Sequence, residues 1–246
     1  MFPAEDDGKR EQSQIACPLP QRDTVVRRYQ FDRVFMPEAT QAEVFVDVEP
    51  MVMHTLAGGN VAIIAYGQTG SGKTHTMLGT DANPGVNRRA VKALLATCNA
   101  TEGTTYSLSV SLIEIYLDKV SDLLSDVPVT KQKASIVMNP ITKATTVSNL
   151  TERAVESVQD VVAALSDGER IRKVAATSMN SNSSRSHLVV VVNVVGQDDE
   201  SGRIQTGKLT LVDLAGSERC SKSDVDGVHM TEAAAINKSL ATLGQC

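Results

Sequence analysis

Apolar residues along this chain switch between a spacing of two and a spacing of three to four, and the switches mark its elements. Residues 24–35 alternate large apolar with polar side chains, ending Tyr29-Gln30-Phe31-Asp32-Arg33-Val34-Phe35, which predicts a strand. Thr40 and Glu43 stand at the spacing of a capping box, and Val44, Val48, Met51, Val52 and Leu56 follow at helical intervals. Pro50 predicts a kink or a break in that helix, and Gly58-Gly59 predicts its end. Val61 to Ala65 is a short continuous apolar run, the pattern of a strand buried on both faces. A glycine-rich loop over 67–74 follows it directly, and Pro84-Gly85 marks another loop.

Further on, Ala90, Val91, Leu94 and Leu95 give one apolar side to a helix over 86–98. Tyr106, Leu108, Val110 and Leu112 alternate as a strand does, and Ile113 and Ile115 extend it. Residues 157–174 read as a helix carrying Val158, Val161, Val162 and Leu165. The β-branched run 187–195 and the short run 209–212 read as strands, and 232–243 as a helix. Alternating strands and helices predict a layered α/β domain with a mixed, mostly parallel sheet. Residues 1–23 are polar, charged and proline-containing, and predict a disordered terminus or linker ahead of a domain over 24–246.

Composition narrows the function classes. The chain has 246 residues, 41% hydrophobic and 22% charged, which fits one large globular domain or two small ones. No run approaches about 18 apolar residues, so no membrane-spanning helix is expected. The start, Met1-Phe2-Pro3-Ala4-Glu5-Asp6-Asp7, lacks the basic and apolar regions of a secretory signal. A net charge of -5 argues against bulk binding to nucleic acid. Cys17, Cys98, Cys220 and Cys246 show no metal-ligand spacing and read as reduced thiols.

The chemistry concentrates in three segments. Gly67-Gln68-Thr69-Gly70-Ser71-Gly72-Lys73-Thr74 fits G-x-x-x-x-G-K-[ST] in full. Glycines let the backbone curl so that successive N–H groups point at phosphate oxygens. Lys73 would bring a positive charge to the β- and γ-phosphates, Thr74 would ligate Mg²⁺, and the following helix would add its N-terminal dipole. Asp213, at the tip of an apolar strand, is a candidate Mg²⁺ partner or the cap of a turn, and Gly216 could present its N–H to a γ-phosphate. Asn180-Ser181-Asn182-Ser183-Ser184-Arg185-Ser186-His187 reads either as a polar loop or as a switch segment that orders around triphosphate.

Together these segments resemble the kinesin motor family. Ala65 through Met77 is similar to its P-loop, Asn180 through His187 matches N-x-x-S-S-R-S-H, and Asp213-Leu214-Ala215-Gly216-Ser217-Glu218 matches D-L-A-G-S-E. Phe31 to Phe35, Ile113 to Tyr116 and Ile236 to Leu240 add weaker echoes, so the resemblance spans about 29–246. Ser178-Met179-Asn180 looks most like the C-terminal-motor, minus-end-directed branch. The resemblance implies a P-loop NTPase fold of three layers, ATP and Mg²⁺ as ligands, ATP hydrolysis, microtubules as partner and a place on the cytoplasmic cytoskeleton. It implies that Gly67 to Thr74 cradle the phosphates, that His75 packs on adenine, and that Thr74, Ser184 and Asp213 serve the metal. It further implies that Ser183 and Ser184 sense the γ-phosphate, that the Gly216 N–H contacts it, and that Arg185 and Glu218 pair to close the site. The helix over 232–243 would begin the relay facing tubulin.

Some of the family's pattern is not found. No R-x-R-P-like strand precedes Tyr29, and Cys17-Pro18-Leu19-Pro20 does not replace it. The family's later relay turns, last strand and neck have no counterpart by Cys246, which predicts an open sheet edge beside the P-loop strand and a chain that does not move by itself. The alternative is a non-motile protein that binds microtubules according to its nucleotide. A GTPase reading would need N-K-x-D, and Asn237-Lys238-Ser239-Leu240 has leucine at the last position.

Overall fold

The helix signalled by Thr40 starts where its cap places it. In the computed structural model, which describes residues 13–19, 22–138, 140–141, 145–179, 185–218 and 239–240, α1 runs Gln41–His54. The Thr40 N–H donates to Glu43 Oε2 at 2.7 Å, and the Glu43 N–H returns a bond to Thr40 Oγ1 at 3.2 Å. The Thr40 N–H and the Thr40 hydroxyl, both donating to Glu43 Oε2, hold that carboxyl below its ordinary range. The helix continues past Pro50 without a break. Its buried residues are Gln41, Phe45 and Val52, whereas Met51, expected there, is 63% exposed.

The chain forms two compact units, 1–44 and 45–246. In the first, β1 (Gln14–Leu19) pairs antiparallel with β2 (Arg22–Gln30), Ile15 opposite Tyr29 and Cys17 opposite Arg27. This corrects the reading of 1–23 as a linker as far as residues 14–19 and 22–23 are concerned. The apolar stretch Ile15-Ala16-Cys17 is too short to signal a strand alone and becomes one by pairing with its neighbour. The strand expected to reach Phe35 ends at Gln30, where the Phe31 N–H closes the ladder on the Ser13 carbonyl.

The second unit is built on a sheet of order β3-β10-β9-β4-β5, with β8 also on β4. The strands are β3 (Asn60–Ala65), β4 (Thr104–Tyr116), β5 (Lys119–Asp122), β8 (Arg153–Val155), β9 (His187–Asp198) and β10 (Ile204–Asp213), with a separate β6 (Ile136–Met138) and β7 (Thr145–Val147) hairpin. The sheet is mixed as expected, but among the described strands only β3 and β10 pair in parallel. Short turns account for two of the antiparallel pairs, β4 with β5 and β9 with β10. Leu117 and Asp118, both at positive φ, join β4 to β5, and residues 199–203 join β9 to β10. β3 ends the described sheet, so its outer edge has no strand partner among the described residues.

One face of this sheet carries the core. Val110 pairs with Val192, Leu112 with Val190, and Leu211 with Val190, so their side chains share a face. Against it pack Ala90, Val91, Leu94 and Leu95 of α3 (Val86–Ala100) and Val161, Ala164 and Leu165 of α4 (Val158–Met179). Full burial of each such leucine stabilises by about 1.5–3 kcal/mol. Of the helix expected over 232–243, only residues 239–240 fall among the described residues, where Ser239 Oγ meets His187. The opposite face, with Ile113, Ile115, Val189 and Val191, lines a cavity of about 550 Å³.

Asp122, 2% exposed, fastens the β5 end of the sheet. Its carboxylate accepts from the Leu124 N–H at 2.9 Å and the Thr151 N–H at 2.7 Å. Asp122→Ala leaves both N–H groups without that acceptor and is expected to lower stability by about 2 kcal/mol, read as a shifted urea midpoint at unchanged slope.

Candidate nucleotide site

The parallel pairing of β3 with β10 sets Ala65 beside Asp213, which brings two loops to one end of the sheet. The glycine-rich loop leaves β3, and residues 214–218 leave β10. Two backbone bonds lace them together, from the Leu214 N–H to the Ala65 carbonyl at 3.3 Å and from the Ser217 N–H to the Gly67 carbonyl at 3.1 Å. Open sheets bind ligands at the carboxyl ends of their strands, and this is such an end.

Within the first loop, Gly70 and Gly72 have φ of 78° and 94°, a region that side-chain-bearing residues avoid. The curl leads into α2 (Lys73–Met77). The Lys73 ammonium donates to the Gly67 carbonyl at 2.9 Å and the Gln68 carbonyl at 3.0 Å, so its charge stands over the loop. His75 follows on the exposed side of α2.

Thr74 and Asp213 meet directly. The Thr74 hydroxyl donates to Asp213 Oδ2 at 2.6 Å. Asp213 is 8% exposed, and its second oxygen, Oδ1, is buried without a hydrogen-bond partner. A buried carboxylate oxygen without a donor is costly to keep, unless a cation completes it. With the Thr74 hydroxyl alongside, the donor set is all oxygen and anionic, which suits Mg²⁺. The residues present thus fit both a metal and the phosphates it would bridge.

Gly216 is buried, and a Cβ on it would run into the Glu218 carboxylate and Thr69 Oγ1. The glycine permits a contact that sequence reasoning missed. The Thr69 N–H donates to Glu218 Oε2 at 2.8 Å, and the Thr69 hydroxyl donates to Glu218 Oε1. Burial alone would raise the Glu218 carboxyl, but the bonds from Thr69 and the Lys73 charge outweigh it and hold it below the ordinary range. Thr69→Ala removes the hydroxyl half of this contact. Amide exchange across 214–218 is expected to quicken by roughly fivefold, since the lost bond is charge-assisted but partly exposed.

Of the expected switch residues, Ser183 and Ser184 lie outside the described residues, as do 232–238 and 241–243 of the expected relay helix. Arg185 stands half-buried just before β9. Its neighbour Ser186, 2% exposed, belongs to a ring that was not foreseen. Arg172 donates through Nε to Glu114 Oε1 at 3.0 Å and through Nη2 to Ser186 Oγ at 2.9 Å, and Ser186 Oγ donates to the same Glu114 oxygen at 2.7 Å. A signal for it was present. Glu114 interrupts the apolar run of β4, and Arg172 continues the stripe Val161, Leu165, Gly168 of α4 at helical spacing.

His187, 7% exposed, accepts a bond from the Ala215 N–H on Nδ1 at 3.0 Å, and its Nε2 lies 2.9 Å from Ser239 Oγ. Burial pushes its pKa down against the opposing pull of the Asp213 charge, so the ring is neutral. Among the described residues no group of three or more His, Cys, Asp or Glu side chains could by itself hold a metal ion, and Cys17 and Cys98 are free thiols. No described helix is long and apolar enough to cross a membrane.

Comparison with known proteins agrees with this arrangement. The kinesin motor domain family profile matches residues 5–246. The chain is 46% identical over 221 residues to kinesin-like protein KIN-14G of Arabidopsis thaliana and 42% identical over 224 residues to KIN-14P of the same plant. These matches cover 88% and 89% of this chain but 22% of each relative, so the chain spans about a fifth of their length. Among solved structures it is similar to the C-terminal motor and motor homology domain of Kar3Vik1, with a TM-score of 0.85 and 36% identity over 98% of this chain and 62% of that one. It is also similar to a fast kinesin studied for its ATPase mechanism and interactions with microtubules, with a TM-score of 0.84 and 35% identity over 95% of this chain and 66% of that one. The KIN-14 and Kar3 likenesses agree with the branch indicated by Ser178-Met179-Asn180.

Proposed function

This chain belongs to the kinesin motor domain family, and we propose that it binds Mg·ATP at the loop over 67–74 and hydrolyses it in response to microtubules. The observation that carries the reading is the Thr74–Asp213 pair with its buried, partnerless Oδ1 beside the lysine-bearing loop. The bound metal supplies charge neutralisation between phosphate oxygens. Thr74, Asp213 and Ser184 would hold it. The loop N–H groups from Gly67 to Gly72 and the Lys73 charge would hold the phosphates, and His75 would face the base. Ser183 and the Gly216 N–H would read the γ-phosphate. Arg185 and Glu218 would pair to close the site, with Thr69 the partner that Glu218 leaves.

Hydrolysis needs no covalent step on the protein. It needs an oriented water and stabilised phosphate charge, which positively charged and N–H groups in a closed site provide. Closure that depends on a γ-phosphate turns a small chemical change into loop order, and loop order into a change at the microtubule face. On this reading the protein works on cytoplasmic microtubules.

Equilibrium titration with a fluorescent ATP analogue tests the site. Saturable binding in Mg²⁺ that weakens by at least about tenfold in excess EDTA is expected, since Thr74 and Asp213 would hold a metal whose charge would offset that of the phosphates. Binding that ignores the metal would remove Thr74 and Asp213 from the reading. Whether the chain moves microtubules, or only binds them according to its nucleotide, is decided by a surface gliding assay beside a co-sedimentation assay.

A further inference from the structure

We propose that His187 is a positioning residue that couples the loop carrying Asp213 and Gly216 to the helical segment at Ser239. Nδ1 accepts from the Ala215 N–H, so the ring proton sits on Nε2 and is donated to Ser239 Oγ at 2.9 Å. Both nitrogens of one neutral imidazole are therefore committed, one to each side. Ala215 is fully buried and stands between Asp213 and Gly216, in the stretch that faces the glycine-rich loop.

The ring is anchored at its base. Ser186 before it is held by Arg172 and Glu114, and Leu188 after it is registered against both Glu114 and Asp213 in the sheet. A fixed pivot with two committed ends transmits displacement. If the Ala215 backbone shifts, the ring must turn or lose the bond, and Ser239 feels either outcome. Thermodynamic coupling of this kind is reciprocal, so a displacement at Ser239 would bias the loop equally. The inference rests on the nucleotide reading above, since that reading supplies the event that moves the loop.

Hydrogen–deuterium exchange on the whole chain, with and without the Mg²⁺ complex of a β,γ-imido ATP analogue, tests it. In the unaltered chain the analogue is expected to change exchange in the peptide holding residues 239–240. His187→Asn keeps an acceptor near Nδ1 but is too short to reach Ser239, and Ser239→Ala removes the other partner. In both variants the response at 239–240 is expected to disappear, while analogue affinity stays within roughly fivefold, the worth of one neutral hydrogen bond. A merely structural histidine would change the melting temperature and leave that response intact. Ser239→Ala deletes a single hydroxyl and carries the test by itself if His187→Asn does not fold.

An undiminished response in the variants, or no response in an unaltered chain that binds the analogue, would overturn the coupling alone. Failure of the unaltered chain to bind the analogue would overturn the nucleotide reading and the coupling with it.

Discussion

Lys73→Ala is expected to weaken Mg·ATP binding by about a hundredfold or more, beyond detection in an ordinary titration. The ammonium sits on the glycine-rich loop's own carbonyls, at 2.9 and 3.0 Å. A charge-assisted bond to phosphate is worth roughly twice a neutral one, and here it would meet two phosphates in a partly desolvated loop. Without its two bonds the loop is still held, by backbone bonds to Leu214 and Ser217. Circular dichroism should therefore be unchanged while fluorescent ATP analogue binding is lost. Binding at the original affinity would sink the assignment of the site.

Glu114→Ala is expected to be the most destabilising of the substitutions considered, at about 3–4 kcal/mol. The side chains of Arg172 and Glu114 are only 12% and 11% exposed, so removing the carboxylate strands a guanidinium away from water. It also takes the acceptor from Ser186. For a chain of this size the loss corresponds to a melting temperature lower by roughly 10 °C. Glu114→Gln, which keeps an acceptor oxygen of the same reach, should recover part of the loss. A shift of only a degree or two for the alanine variant would mean that water reaches the ring and that it does not hold the base of β9.

Much of the fold was legible because its long elements bury one face. The apolar spacing in α3, β4, α4 and β9 is a direct consequence of the shared core, and each was found within a few residues. Elements of three or four residues, such as β5 and β8, are too short to show a period and exist by pairing with β4. The same holds for β1, whose strand character depends on β2. The sheet is mixed as expected, but the share of parallel pairs was not legible, because apolar runs report burial and not orientation; tight turns at 117–118 and 199–203 make two of the pairs antiparallel.

The site divides along a similar line. Lys73, Thr74 and Asp213 were legible, because phosphate and metal chemistry restricts which residue types can serve and at what spacing. Their meeting across 139 positions of sequence follows from one parallel pairing, which brings Asp213 beside Ala65. The Thr69–Glu218 contact was not legible. It requires the Gly216 backbone to pass close to both side chains, a distance no pattern encodes. Glu114 and Arg172 stand as charges in apolar settings, but their closure with the Ser186 hydroxyl into one ring depends on how α4 lies across β4.

The central claim is that this chain is a nucleotide hydrolase answering to microtubules through the Lys73 loop. Phosphate release measured with and without polymerised tubulin tests it most directly. The account predicts a slow basal release that microtubules accelerate by at least about tenfold, a rate change equal to about 1.4 kcal/mol of barrier, and that Lys73→Ala abolishes. Release that microtubules leave unchanged, or that survives in Lys73→Ala, would contradict it.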